Sequence, residues 1–217
     1  MKERCLNTVP DRCTKVPYLA ARSPRLLTIL EMNIQETGLP GLVLLQPRIF
    51  PDERGYFTET YNQQTLEKLG IRNEWVQDNQ AASTYGVLRG LHYQRGAAAQ
   101  AKLVRVLAGS VLDVVVDLRN ESPTYGKSYA VELSAENQMQ MLVPRGFAHG
   151  YAVLSETAVF FYKCDNFYNK GAEGGVRYDD PTLGIDWRIP ATSILTSGKD
   201  ELLPVMGSHS DSGVNFR

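Results

Sequence analysis

The chain has 217 residues, 43% of them hydrophobic, and a formal net charge of −1 from 23 basic and 24 acidic side chains. That length and apolar share suffice for one core and one domain. The balanced charge offers no global field to gather nucleic acid or an anionic membrane, and no apolar run reaches the roughly 18 residues of a membrane helix.

Residues 1–31 carry Lys2, Arg4, Arg12, Lys15, Arg22 and Arg25 with little hydrophobic periodicity, which predicts a disordered basic extension. The stretch lacks the compact apolar centre of a signal peptide, and Glu3, Asp11 and Glu31 do not suit a transit peptide, so the expected location is the cytoplasm. An overlong start assignment, with Met32 as the true start, is as good an alternative for this stretch as targeting. Residues 32–204 read as one domain, and 205–217 read as a second disordered tail.

From Val43 onward, short runs of β-type residues are punctuated by Gly, Pro, Asn and Asp, with one helical stretch at Gln64–Leu69. Val111–Leu118 alternates: Leu112, Val114, Val116 and Leu118 share the face predicted to be core, and Asp113, Val115 and Asp117 the face predicted to look outward. Ser128–Ser134 repeats the pattern through Tyr129, Val131 and Leu133, after a turn at Pro123-Thr-Tyr-Gly126. Ala158–Cys164 is apolar on both faces and is expected to lie deeper. Eight or more short strands without a βαβ rhythm predict an all-β jelly-roll sandwich or barrel with short peripheral helices. Cys5, Cys13 and Cys164 are odd in number and scattered, so no disulfide framework is expected, and Cys164 reads as a small core residue.

The stretch Gly86-Val-Leu-Arg-Gly-Leu-His-Tyr-Gln94 sets an arginine and one of three histidines inside a strand-like apolar run. Lys102 and Pro144-Arg-Gly-Phe-Ala-His149 place further cationic or titratable groups in segments that otherwise read as core, where such groups rarely go without a reason. The spacing of Gly86 to His92, Lys102 to Gly109, and Pro144-x-Gly146-x-x-His149 resembles the cupin superfamily. A metal-binding cupin would carry histidine at Gln94 and glutamate at Lys102. An ammonium offers no lone pair, so the pocket is expected to need no metal and no other cofactor. A fixed cation, a histidine and a buried phenol suit proton abstraction beside a carbonyl. His92 is then the base, and Tyr162, sharing strand parity with Ala158 and Phe160, the opposing acid. Taken singly, each of these residues also reads as a satisfied core residue.

Phe50-Pro-Asp-Glu-Arg-Gly-Tyr-Phe57, Gln77-Asp-Asn79, Leu88–Gln94, Lys102-Leu-Val104, Ser122-Pro-Thr124, Gly146-Phe-Ala-His-Gly150 and Tyr162-Lys163 together resemble the dTDP-4-dehydrorhamnose 3,5-epimerase family, from about Met32 to Pro204. The resemblance implies His92 as proton acceptor, Tyr162 as proton donor, Lys102 on the 4-keto oxygen and Asp200 orienting His92. It implies that Arg54, Glu59, Gln77, Asp78, Asn79, Arg89, His149, Glu173 and Lys199 bind a dTDP-ketosugar, with Tyr168 on the thymine. It also implies a homodimer whose N-terminal strands pair across subunits. Epimerisation at one centre, a ketoisomerase, and a silent sugar-binding cupin are the alternatives. Arg89 and His92 have opposite parity, so they can share a pocket only if the strand bulges or bends at Gly90.

Overall fold

A computed structural model describes residues 32–207. In chain order its elements are β1 (Met32–Glu36), β2 (Val43–Pro47), β3 (Ile49–Asp52), β4 (Gly55–Thr58), α1 (Gln63–Lys68), β5 (Gln77–Thr84), β6 (Leu88–Gln94), β7 (Lys102–Ala108) and β8 (Ser110–Asp117). Then follow β9 (Ser128–Ser134), β10 (Gln140–Val143), β11 (Phe147–Val153), β12 (Thr157–Cys164), β13 (Glu173–Gly175) and α2 (Gly198–Glu201). Expectations for 1–31 and 208–217 lie outside the described residues.

One sheet runs β1-β2-β10-β7-β12-β5, a second β13-β6-β11-β8-β9, and β3 and β4 form a separate hairpin. All named strand pairs are antiparallel, so this is the expected jelly-roll sandwich. Between the sheets, Val104, Val106, Met141, Val143, Ala158 and Phe160 meet Val111, Val115, Leu133, Phe147 and Tyr151. The helix begins one residue before the expected stretch because the Asn62 side chain accepts from the Gln64 and Thr65 amides. It buries Leu66 against Val43, Leu45, Leu103 and Leu142 on the outer face of the first sheet.

Two expectations about faces are corrected. Asp113, Val115 and Asp117 do not look outward: both aspartates are fully buried, with Val111 and Val115 of the same parity in the inter-sheet core. The opposite face of β8 is also dry, because the chain after β13 folds back over it and packs Val176 and Trp187, with Tyr178, Ile185 and Ile189, on Leu112, Val114 and Val116. Met206 joins this layer and its amide bonds to Asp180, so packed chain continues past 204. Conversely, β12 is deep on one face only. Ala158, Phe160 and Cys164 are buried, whereas Val159, Phe161 and Lys163 stay partly exposed, and Lys163 pairs outward with Asp78 at 3.0 Å.

Candidate active site

The cavity opens between the sheets at β6, and its shape follows from glycine. On β11, His149 pairs with His92 and Tyr151 with Arg89, so Gly90 and Leu91 together face the single residue Gly150. This is the bulge that the parity conflict requires. Gly90 has a φ of +140°, and a Cβ there would lie 2.5 Å from the Gly150 Cα. A Cβ on Gly150 would in turn lie 2.6 Å from the Arg89 carbonyl oxygen, so neither position accepts a side chain. The extra residue turns Arg89 and His92 into one cavity of about 490 Å³, which Lys102, His149, Tyr151, Tyr162, Lys199 and Asp200 also line.

Ser197 caps α2 by accepting from the Asp200 amide at 3.2 Å, which sets Asp200 beside the bulge. There Asp200 Oδ1 is 2.7 Å from His92 Nε2, and Oδ2 accepts from the Gly90 amide at 3.4 Å. Burial pushes this carboxyl up, but His92, the Gly90 amide and the Ser197 hydroxyl outweigh it and hold it below the usual carboxylate range. Across the sheet a second pair, His149 Nε2 and Asp113 Oδ1, stands at 2.9 Å. Burial drives His149 down and Asp113 up, each toward its neutral form, against their mutual attraction.

Lys102 shares parity with Val104 and Val106 and so points between the sheets, its Nζ 5.7 Å from the centre of the Tyr162 ring. Burial lowers its pKa, opposed by Cys164 and Asp113. Tyr162 is pushed up to about 12, first by burial, so it stays a neutral phenol. Arg89 donates to the neutral Ser83 hydroxyl at 3.2 and 3.3 Å, which leaves its charge without a carboxylate.

At the mouth, Gln77 and Asn79 share strand parity with the cavity-lining Ala81, and Gln77 accepts from the Tyr168 amide at 3.1 Å. The Tyr168 ring is exposed, and Glu173 pairs with Lys199 at 2.5 Å. Asp78 has the opposite parity and faces away, toward Lys163. Arg54 and Glu59 do not line the cavity of their own chain: Arg54 binds Asp52 at 2.6 Å and Glu59 accepts from Asn62 at 3.1 Å. Their segment, the β3–β4 hairpin, exposes Phe50, Tyr56 and Phe57.

Sequence reasoning missed Asp113, Tyr151, Thr196 and Ser197. Ser197 had a signal, since serine three residues before a carboxylate is a capping pattern. Tyr151 had another, being two residues from His149 and therefore on the same strand face. Among the described residues no group of three or more His, Cys, Asp or Glu is placed to hold a metal ion, and no helix is long and apolar enough to cross a membrane.

A histidine held by a carboxylate, a desolvated ammonium and a neutral phenol on one cavity can remove a proton beside a carbonyl, hold the resulting oxyanion and return a proton. A family profile described as dTDP-4-dehydrorhamnose 3,5-epimerase matches residues 36–207. The Salmonella typhimurium dTDP-4-dehydrorhamnose 3,5-epimerase is 48% identical over 176 residues, covering 81% of this chain and 96% of the relative. The crystal structure of the same-named protein from Elizabethkingia anophelis is 55% identical with a TM-score of 0.79, covering 82% of this chain and 98% of that one. The dTDP-6-deoxy-D-glucose-3,5-epimerase of Legionella pneumophila, solved in complex with dTDP-4-keto-L-rhamnose, is 46% identical with a TM-score of 0.77, covering 80% and 92%. With its cupin jelly roll, this chain belongs to the dTDP-4-dehydrorhamnose 3,5-epimerase family of isomerases.

Proposed function

We propose that this chain inverts dTDP-4-dehydro-6-deoxy-D-glucose at C3 and C5 to give dTDP-4-dehydro-L-rhamnose. The observation that carries this reading is the meeting of His92–Asp200, Lys102 and Tyr162 on one cavity. Both C3 and C5 adjoin the C4 carbonyl, so a single mechanism serves both centres. With Nε2–H donated to Asp200, the other ring nitrogen of His92 keeps a lone pair and takes the C–H proton. The C–H bonding electrons move onto the C4 oxygen, where the Lys102 ammonium stabilises the enolate. Tyr162 delivers a proton to the opposite face of the carbon as the electrons return; solvent then reprotonates the phenolate and takes the proton from the His92 imidazolium, which resets both groups for the second centre.

The remaining groups bind substrate. Arg89 takes the diphosphate, Tyr168 stacks on the thymine, and Gln77, Asn79, Glu173 and Lys199 form the rim around the nucleotide. His149 closes the back wall behind the sugar. Asp78 acts indirectly, by holding Lys163 on the outer face. The active form is a homodimer in which the exposed β3–β4 hairpin reaches the partner's cavity and brings Arg54 and Glu59 to it. No metal takes part, because Gln94 is engaged by the Asn169 amide and Lys102 supplies the positive charge. A nucleotide-sugar substrate puts the reaction in the cytoplasm.

Turnover of the ketosugar in D2O, followed by NMR, tests this. Deuterium should enter C3 and C5 with inversion at both; entry at one centre alone would make the chain a single-centre epimerase, and binding without uptake a silent cupin. Tyr162→Phe should keep some exchange and lose inverted product, because a base working from one face only restores the starting configuration. Inverted product at the normal rate would remove Tyr162 from the mechanism.

A further inference from the structure

Among the described residues, four buried side-chain polar atoms lack a hydrogen-bond partner. Two of them, the Tyr151 hydroxyl and Thr196 Oγ1, line the same cavity, and a third, Asp113 Oδ2, belongs to the carboxylate that binds His149. A buried polar atom without a partner is costly, so such atoms mark either strain or a ligand-facing position.

Both hydroxyls are fixed in place. The Tyr151 ring stacks on Phe160, with centroids 4.1 Å apart and planes 16° from parallel. Thr196 follows Leu195, whose amide donates to the Gly86 carbonyl at 2.9 Å and whose carbonyl accepts from the Leu88 amide at 2.8 Å. Gly86 permits that approach, since a Cβ there would lie 2.1 Å from the Ser193 carbonyl oxygen. Thr196 is then pinned on its other side by Ser197, the cap of α2.

Neighbouring polar groups are committed elsewhere. Ser83 and Arg89 approach the Tyr151 hydroxyl closely enough to lower its pKa as hydrogen-bonding neighbours, but neither completes a bond of good geometry to it, and Arg89 donates to Ser83 instead. Ser197 is held by the Asp200 amide. Val87, Leu88, Leu195 and Phe160 form part of the apolar lining of the cavity. Burial raises the Tyr151 pKa, which keeps the phenol a donor near neutral pH.

We propose that Tyr151 and Thr196 form a hydroxyl-recognising subsite that bonds the ring hydroxyls of the bound sugar and sets the enzyme's preference for a hydroxylated over a deoxygenated hexose. This rests on the reading of the cavity as a dTDP-sugar site. Two fixed hydroxyls that each donate and accept suit neutral sugar hydroxyls, whereas the charged groups of the cavity suit the diphosphate and the enolate.

Calorimetry with dTDP and with dTDP-D-xylose, a hydroxylated nucleotide sugar without a keto group, tests the subsite on Tyr151→Phe, Thr196→Val and Thr196→Ala. Each variant should bind dTDP as the wild type does and dTDP-D-xylose about five- to tenfold more weakly. The ligand-free Tyr151→Phe protein should melt no lower than wild type, since only an unpaired hydroxyl is removed. Unchanged dTDP-D-xylose affinity in all three variants would overturn the proposal, and so would an equal loss for dTDP, which would mean a structural or nucleotide-binding role. Wild-type protein that bound neither ligand would overturn the functional reading itself.

Discussion

His92–Asp200 and His149–Asp113 are the same chemical pair at nearly the same length, 2.7 and 2.9 Å, on neighbouring strands that pair at the histidines themselves. They differ in what surrounds them. The His92 side chain is 36% exposed and its carboxylate is supported by the Gly90 amide and the Ser197 side chain, whereas His149 is 6% exposed and Asp113 Oδ2 has no partner at all. Consequently Asp200 is held ionised and can steady a charged imidazole, while burial drives Asp113 and His149 toward neutral forms. The same two side-chain types thus form a solvent-reached pair in one place and a buried pair in the other.

The largest effect should come from removing the base. His92→Ala should slow substrate C–H exchange and product formation by about 10³-fold, with little change in thermal stability because the residue faces the cavity. Deuterium uptake at the wild-type rate would transfer the base's role to His149 and reverse the comparison.

Lys102 lines the cavity that holds both histidines, and Asp113 is one of the charges that sustain its own. Lys102→Met should cost about 3 kcal/mol of transition-state stabilisation, roughly 10²-fold in kcat, and should lose isotope exchange together with product. Exchange that survived while product vanished would move Lys102 out of the enolate step.

Both histidines and Asp200 were singled out in the sequence, and only Asp113 was not, for a physical reason. Arg89, His92 and Lys102 stand out because each is the wrong residue type for its apolar run, Tyr162 was picked by its strand parity, and the clash of parity at Arg89 and His92 pointed to a bulge or bend at Gly90. The jelly roll followed from strand runs and turns, which are local signals. Asp113 was misread because alternation along β8 looks like one dry face and one wet face. In the fold the Asp113 face is dried by the opposing sheet, through Val104, Val106 and Phe160, and the apolar face by Val176, Trp187 and their neighbours, far along the chain, so both faces are covered and no local pattern announces it. Arg54 and Glu59 are absent from the lining of their own chain's cavity, since the hairpin segment that carries them does not reach it.

A smaller effect should follow from weakening the working pair without destroying it. Asp200→Asn keeps a side chain of the same shape but removes the carboxylate charge that faces the imidazole, so kcat should fall about tenfold while dTDP binding is unchanged. The variant should also lose part of the acid dependence of stability. The folded pKa of Asp200 is depressed, so its contribution is present above the unfolded value near ~3.9 and is lost as pH falls through the folded one. Unfolding curves of both proteins that ran parallel across that acid range would contradict the assignment.

The smallest effect should come from the silent pair, and its sign is opposite. The folded pKa of Asp113 is raised by burial, so the carboxyl favours folding below the unfolded value near ~3.9 and becomes a burden as pH rises through the folded value. Asp113→Asn keeps an oxygen that can accept from a neutral His149 and removes the charge. Its stability relative to wild type should therefore climb with pH and level off near neutrality at equal or up to about 1 kcal/mol better. Loss of the carboxylate should also let the Lys102 pKa fall further, so the alkaline limb of the rate profile should move to lower pH. If His149–Asp113 were instead a true ion pair, removing one charge would strand the other in the core and cost about 3–5 kcal/mol. Urea unfolding of the two proteins at pH 5 and pH 8 separates these outcomes, and a large loss at pH 8 would mean that the two pairs share one charge state after all.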